Sequence, residues 1–357
     1  MGTIMAVVII PLTRDIWGVW TGFKQTTSLE LLGLILVPIS IFILGSILQQ
    51  QQRKRVEEEA KEEILQGYFD RLSYLLVDKN ILAIAVKLYA SETKKENGQC
   101  QEKVTLAEKE LLDAAVDVIR ARTLSILRRF KDDGERKGSV IRFLAETEIF
   151  NKVKLNLSDA NLSDADLSAT ILREVNFRDV NLNNANLCLA KFDSANLNFA
   201  SIVDANLTLA DLSCASLDGA KFCRSDLSCA SLMSASVCHA DLSRVNLRNA
   251  TLRYADLSNA NLSNADLSKA DLRDSELTAA ALNSSNFNGC RFNNARLIGA
   301  DFRNSNITQE QLINAKLCLT ILPDGIDLNP DRDCQELRID PETREYFDPK
   351  TGLDILP

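Results

Sequence analysis

Residues 240–269 read ADLSR-VNLRN-ATLRY-ADLSN-ANLSN-ADLSK, six units of five residues in direct succession. The same period runs from Ser158 to Ile307 without an insertion or a deletion. From residue 160 onward, the third residue of the unit is Leu, Phe, Ile or Val in 30 of 30 units, and the first residue is Ala in 21 of them. Neither a helix nor a flat strand has a period of five. The pattern therefore indicates a solenoid built from short repeats.

The pattern also predicts how the chain turns. If the small first residue and the apolar third residue both point inward, the polar residue between them points outward, as on a strand. The other two residues must then turn the chain, and the last one is Gly, Asn or Asp in 13 of 30 units. These residues tolerate a positive φ. A quarter turn per unit closes a square coil of four units, so residues 158–307 would make about 7.5 coils over roughly 36 Å.

This stretch resembles the pentapeptide-repeat family, whose pattern A(D/N)LxX stands in the chain as Ala160–Asp164 and Ala265–Lys269. The resemblance implies a right-handed quadrilateral β-helix, brings no catalytic residues, and covers 150 of 357 residues. Upstream, the order of parts is similar to that of membrane-anchored, cyanobacterial-type members. We therefore predict an all-β right-handed quadrilateral β-helix over residues 151–307, preceded by a transmembrane helix and a small α-helical region. The upstream similarity lies in residues 121–124 (ARTL), 134–138 (GERKG) and 142–144 (RFL).

The run from Leu31 to Leu48 predicts a transmembrane helix over residues 29–48, after an N-terminal segment, residues 1–28. The run is uncharged, and most of its side chains are Leu, Ile, Val or Phe. A helix of this length matches the hydrocarbon core of a membrane, about 30 Å; the alternative is a buried core helix. Basic residues 53–55 follow the run, so the positive-inside rule places the rest of the chain in the cytoplasm. We expect a single-span integral protein of a bacterial inner or thylakoid membrane.

Residues 49–150 are predicted to form a cytoplasmic α-helical connector. Apolar residues recur at helical spacing over residues 56–79, 80–93 and 105–130, and Asp133 is expected to cap a last helix that ends near Thr147. The sequence GERKGS at residues 134–139 has its glycines and lysine in the wrong order for a phosphate loop. A basic cluster on this connector is interpreted as solvated helix surface, with a face for anionic lipid or a partner as the alternative; it comprises Arg120, Arg122, Arg128, Arg129 and Lys131.

Both ends of a β-helix need a cover, because open coils expose apolar interior and unpaired backbone. At the front we expect Ile149 and Phe150 to provide it. At the back, residues 308–311 fit a capping box, which predicts a capping helix over residues 308–322. Residues 323–357 contain five of the seven prolines, with 10 acidic against 4 basic residues. This acidic, proline-rich segment is predicted to be a largely irregular tail.

Composition disfavours most chemistry. The net charge is −8, but residues 151–322 carry only −2, so no basic surface for nucleic acid is expected. A single histidine and the absence of nucleophile–base pairs, phosphate loops and metal sets predict no enzyme, cofactor, metal or small-molecule substrate. Nine irregularly spaced cysteines predict free thiols in a reducing compartment. A calcium loop over residues 327–338 is rejected, because Arg332 stands where such a loop needs Gly.

One surface feature predicts a binding function. Corner positions one predicted coil apart stack Ala169, Leu189, Leu209 and Cys229, which we interpret as an apolar stripe for a partner. The alternative is that the connector helices or the tail pack on it. The predicted function is a non-catalytic, membrane-tethered scaffold that presents a rigid rod to an unidentified protein or to further copies of itself. The alternative function is a DNA-mimic regulator of a topoisomerase or another nucleic-acid-binding protein, which requires a strongly negative rod.

Overall fold

The computed structural model describes residues 28–93 and 105–342. The predictions for the N-terminal segment up to residue 27 and for the tail beyond residue 342 lie outside the described residues, as do residues 94–104. The chain divides into two compact units, residues 1–64 and 65–357. The first helix, α1, runs from Ser28 to Ser73 and has 46 residues.

The prediction of a transmembrane helix over residues 29–48 is wrong. Among the described residues, no helix combines the length and the apolar character that crossing a membrane requires. The run Leu31–Leu48 is interrupted by two glycines, a proline and two serines, and α1 continues from it into a mostly polar and charged stretch, residues 49–63. The localisation that rested on this helix is therefore also wrong. It placed the protein in a bacterial inner or thylakoid membrane, with most of the chain in the cytoplasm.

The region between α1 and the repeats is helical, as predicted. At the start of helix α3 (Leu106–Arg129), the Thr105 N–H donates to Glu108 Oε2 at 2.8 Å and the Glu108 N–H donates to Thr105 Oγ1 at 3.2 Å, which is a capping box. Asp133 caps helix α4 (Gly134–Glu146), since its carboxylate accepts the Arg136 N–H at 3.1 Å. After a π-helical turn at Tyr74–Asp78, the helices are α2 (Ile81–Thr93), α3 (Leu106–Arg129), α4 (Gly134–Glu146) and α5 (Ile149–Val153).

Parallel β-bridges join each coil of the repeat region to the next. They connect equivalent positions of successive coils, from Asn156 with Asn176 to Asp301 with Ile321. Each coil therefore takes four five-residue units, and the predicted quadrilateral β-helix is confirmed. We number its four walls by their residues in the first coil, each wall recurring once per coil: wall 1 (156–159), wall 2 (161–164), wall 3 (166–169) and wall 4 (171–174).

Most corners of the coil are hydrogen-bonded β-turns whose third residue has a positive φ, as in a type II turn. In the unit that begins at Ala160, the Ala165 N–H donates to the Leu162 carbonyl at 3.2 Å, and Asp164 has φ 60°. The last residue of the wall has a positive φ in every unit from Asp159 to Asn304. The Leu162 N–H donates across the coils to the Asn181 carbonyl at 2.7 Å. The hydrogen bonds of the turns and those between coils thus pair the backbone N–H and C=O groups of the repeat.

The interior is filled by the third residue of each unit. From Leu162 to Phe302 these side chains are at most 1% exposed. Near the carboxyl end, the rings of Phe287, Phe292 and Phe302 pack with centroids 5.4 to 5.9 Å apart. Removing each such side chain from water stabilises the fold by about 1.5–3 kcal/mol, so the row of leucines and phenylalanines is the core.

The coils continue beyond the predicted end at Ile307. Helix α6 covers only Gln309–Leu312, and bridges still join Arg296 with Lys316 and Asp301 with Ile321. The predicted capping helix over residues 308–322 is therefore a single turn. The reason is that the period of five is kept through it: Leu312 and Leu317 stand at the inward position and are both 0% exposed.

The segment after Ile321 is more ordered than predicted. A disulfide joins Cys318 to Cys334, which begins the short helix α7, Cys334–Leu337. Both cysteines pack with Ile298 and Ile339 in a small buried cluster. The expectation of free thiols is thus wrong for this pair, because the chain reverses after Ile321 and brings two cysteines 16 residues apart together. The free cysteines among the described residues are Cys188, Cys214, Cys223, Cys229, Cys238 and Cys290.

Candidate functional site

The predicted apolar stripe occupies one corner of the β-helix, the last position of wall 3 in the first four coils. Leu189 and Leu209 are each 51% exposed, and Ala169 and Cys229 are also exposed. The register of the bridges brings the four side chains into one column, each one coil from the next. The fold therefore leaves this column at the surface.

The wall beside the stripe carries little charge. Among the described residues of wall 3, none between Asp166 and Asp226 is charged. Its outward side chains there form an amide ladder, in which Asn186 Nδ2 donates to Asp166 Oδ1 at 2.9 Å and Asn206 Nδ2 donates to Asn186 Oδ1 at 3.3 Å. On the side of wall 3, the stripe thus borders a neutral polar surface.

Two exposed aromatic side chains on the coils differ from the stripe. The ring of Phe199 is 50% exposed but lies under the Arg178 guanidinium, 4.6 Å from its centroid. The ring of Tyr254 is 54% exposed, with the Arg253 guanidinium 5.1 Å from its centroid. Both rings already make a cation–π contact within the chain. The two leucines have no comparable polar neighbour in those contacts and offer only apolar surface.

At the amino end, the first coil has carbonyl groups that no preceding coil can pair. Farther along, the corresponding carbonyl of Asn183 accepts the Asp164 N–H at 2.9 Å. In the first coil, cationic side chains replace those N–H donors. Lys137 Nζ donates to the Ser163 carbonyl at 2.5 Å, Arg120 Nε donates to the Asn156 carbonyl at 2.9 Å, and Arg142 Nη1 donates to the Asp166 carbonyl.

Helix α4 lies against the backbone of the first coil because two of its residues have no side chain. A Cβ atom on Gly134 would overlap the Asp164 carbonyl oxygen, and one on Gly138 would overlap that of Asp166. Between them Lys137 is 0% exposed, and its Nζ also donates to the Lys131 carbonyl at 3.1 Å. Burial lowers the pKa of Lys137. The sequence GERKG is therefore a docking element for the first coil.

At the carboxyl end, N–H donors of the last coil have no following coil to pair with, and carboxylates accept them. Asp333 Oδ2 accepts the Leu317 N–H at 2.8 Å, and Asp331 Oδ1 accepts the Leu319 N–H at 2.7 Å. Arg332 donates to the Ala315 carbonyl. Cations close the carbonyl end and carboxylates close the N–H end, so each cover matches the polarity of the edge it meets.

Sequence reasoning missed these covering side chains. Arg120 belongs to the basic cluster interpreted as solvated surface, and Lys137 lies in the GERKG stretch, for which no contact with the first coil is predicted. Asp331 and Asp333 were considered only as calcium ligands. Their contacts are with backbone atoms, which carry no residue-type signal. Ile149 and Phe150, by contrast, are buried as predicted, and the ring of Phe150 meets that of Phe177 edge-on.

The carboxyl-terminal cover is expected to loosen in acid. Burial alone would raise the pKa of Asp333, but hydrogen bonds from Arg332 and Leu317 and the nearby cations together lower it. A lowered pKa contributes stability above the unfolded value near 4, and that stability is lost as the pH falls through the folded value. Hydrogen exchange at the Leu317 amide, corrected for its intrinsic rate, should therefore accelerate below about pH 4.

The matched variant for this test is Asp333→Asn, which keeps an amide oxygen as acceptor but does not titrate. Its Leu317 amide should exchange at a rate that depends little on pH over the same range. If the wild type and the variant showed the same acid response, Asp333 would not be the group responsible.

The comparisons place the repeat region among known proteins. The family model for pentapeptide repeats matches in eight copies, within residues 156–193, 190–228, 230–268, 240–278 and 275–309. No curated protein matches the chain. Solved structures do match it. They include a pentapeptide repeat protein from Nostoc PCC 7120, 35% identical, covering 34% of this chain and 78% of that one with a TM-score of 0.17.

Two further structures are similar over larger parts of this chain. HetL, a pentapeptide repeat protein involved in heterocyst differentiation regulation in Nostoc sp. strain PCC 7120, is 27% identical and covers 48% of this chain and 90% of its own, with a TM-score of 0.21. QnrB1, a plasmid-mediated fluoroquinolone resistance protein, is 19% identical and covers 52% and 96%, with a TM-score of 0.32.

Proposed function

This chain belongs to the pentapeptide-repeat family, and from that premise we propose that it is a non-catalytic protein-interaction module. Its binding surface is the apolar stripe of Ala169, Leu189, Leu209 and Cys229 together with the neutral part of wall 3. The partner is a protein that presents an apolar, uncharged surface.

The observation that carries the proposal is the exposure of two adjacent leucines on a rigid backbone. Leu189 and Leu209 each leave 51% of their surface in contact with water, although apolar side chains gain free energy when they are buried. Both also adopt φ 61°, a conformation in which leucine is disfavoured and Asn or Gly is preferred. The fold alone thus gives no reason for leucine at either position.

The charge on the walls does not favour the DNA-mimic alternative. Wall 1 is the most negative of the four, and it carries five carboxylates against three basic side chains. A duplex presents one negative charge per about 1.7 Å of its axis. The near balance of charge on these walls does not reproduce that density, so we do not extend the proposal to nucleic-acid-binding proteins.

The test is the double variant Leu189→Asn/Leu209→Asn. Because Asn is favoured at positive φ, the variant should fold and melt at the wild-type temperature or about 1–2 °C higher. Recovery of the protein partner by affinity purification, quantified against wild type, should fall at least tenfold. The melting curve separates a loss of recognition from a loss of folding.

Phe199→Asn provides the matched control, since Phe199 is an equally exposed apolar residue with φ 60° at a different corner. This control should recover the same partner as wild type. Equal recovery by all three proteins would contradict the proposal. If the species lost with the double variant were a second copy of the chain, detected by sedimentation, the stripe would be a self-association surface and the proposed heterologous partner would be wrong.

A further inference from the structure

The carboxyl-terminal cover depends on few contacts besides its disulfide. The buried apolar cluster that holds it is small: it comprises Ile298, Cys318, Cys334 and Ile339, with the partly buried Leu319 and Leu337 packed against it. The ion pair between Lys316 and Glu336 is 2.6 Å long but solvent-exposed, and exposed pairs contribute little. The remaining contacts are hydrogen bonds: the carboxylate acceptors of the last coil, the Asp333 N–H to the Leu317 carbonyl at 2.9 Å, and Arg332 to the Ala315 carbonyl. The covalent bond is therefore the main constraint that keeps this segment on the β-helix.

Breaking the bond would disturb the cluster that surrounds it. The side chains of Cys318 and Cys334 are 0% and 3% exposed. Two sulfur atoms that are no longer bonded need more room than a disulfide, and a packed interior resists added volume. Asp331 Oδ1 also lies 3.7 Å from Cys334 Sγ, so its negative charge would oppose a thiolate there. The same carboxylate accepts the Leu319 N–H, which links the sulfur pair to the open edge of the last coil.

We propose that the Cys318–Cys334 disulfide is a redox latch on the carboxyl-terminal end of the β-helix. A dithiol reductant opens it: one thiolate attacks a sulfur of the pair, the second thiol resolves the mixed disulfide, and the reductant becomes a disulfide. Two electrons and two protons pass to the protein, where the sulfur–sulfur bond is replaced by two thiols. Because both sulfurs are buried, attack follows a local opening of the segment.

Opening the latch uncovers the edge of the last coil. The N–H groups of Leu317 and Leu319 lose their carboxylate acceptors, and the side chain of Ile298 loses its cover. Unpaired strand edges of this kind are the sites at which β-structures accept further chains. The latch therefore controls whether this end of the β-helix is closed or available, while the coils before it stay folded.

The experiment is hydrogen exchange on the full chain, with and without dithiothreitol, in a buffer that contains EDTA to keep metal ions from the released thiols. Alkylation and mass measurement establish that Cys318 and Cys334 have been reduced. After reduction, the amides of Leu317 and Leu319 should exchange at least tenfold faster, while amides between residues 182 and 262 should keep their rates. The double variant Cys318→Ser/Cys334→Ser should exchange rapidly at these two amides without reductant.

Cys290→Ser is the control, since Cys290 is a buried free thiol among the described residues and takes no part in the latch; it should respond to dithiothreitol as wild type does. Three results would overturn the proposal. They are a disulfide that resists dithiothreitol in the folded protein, unchanged protection of Leu317 and Leu319 after complete reduction, and full protection of both amides in the double serine variant.

Discussion

Replacing Gly134 by alanine is expected to displace helix α4 from the first coil and to destabilise the amino end of the β-helix by about 3 kcal/mol. The added Cβ would overlap the carbonyl oxygen of Asp164, which is backbone and cannot rotate away. Displacement of α4 would also withdraw Lys137 from the Ser163 carbonyl. Amides of the first coil should then exchange faster by roughly two orders of magnitude, because each 1.4 kcal/mol corresponds to a factor of about ten.

Gly67→Ala is the matched control for this change. Gly67 lies within α1 and has nothing within 4 Å of where its Cβ would stand. Alanine should therefore stabilise the helix there by about 1 kcal/mol through its propensity alone. First-coil exchange that is unchanged in Gly134→Ala would show that α4 does not depend on this close approach.

Replacing Lys137 by methionine is expected to cost roughly 2–3 kcal/mol. The substitution keeps most of the buried aliphatic volume but removes the ammonium group, so the carbonyl of Ser163 is left without a donor inside the protein. A buried unsatisfied carbonyl costs about 1–3 kcal/mol, and hydrogen bonds to charged groups are the stronger kind. Because repeat proteins need not unfold in one step, the measurement is hydrogen exchange of the first coil together with urea unfolding of the full chain.

The control for Lys137→Met is Lys152→Met, the same chemical change in a solvated setting. Lys152 Nζ pairs with Glu148 Oε2 at 2.8 Å, and the glutamate side chain is 65% exposed. Exposed pairs of this kind contribute little, so first-coil exchange should stay near the wild-type rate. Equal effects from both substitutions would show that burial of Lys137 and its carbonyl contacts are not what stabilises this end.

The walls of the β-helix were predictable because every five-residue unit repeats the residue pattern that produces them. An apolar third residue, a small first residue and a period of five leave one geometry in which all inward positions coincide, and Leu162 through Phe302 are buried accordingly. The exposure of Leu189 and Leu209 follows from the same register. Their role in binding stays a prediction.

The covers of the two ends were less predictable, since each joins a side chain to a backbone atom far away in sequence. Lys137 and Ser163 are 26 residues apart, and any residue type supplies a carbonyl there. The Cys318–Cys334 pairing depends on a chain reversal that no local motif signals. The membrane prediction is wrong because, among the described residues, no helix is long and apolar enough to cross a membrane.

The number of five-residue units also fixes the direction, around the β-helix axis, in which the carboxyl-terminal segment faces. Since each unit rotates the chain by a quarter turn, the number of units between Cys229 and Cys318 sets the side on which the disulfide-bound segment faces relative to the leucine column. Relatives that gained or lost a whole coil there would keep the same relative direction of the two features and change only their separation along the axis. A gain of a single unit would rotate the distal end by a quarter turn, to the adjacent side of the β-helix. An insertion in this chain can therefore change both its length and the direction in which its carboxyl-terminal end faces.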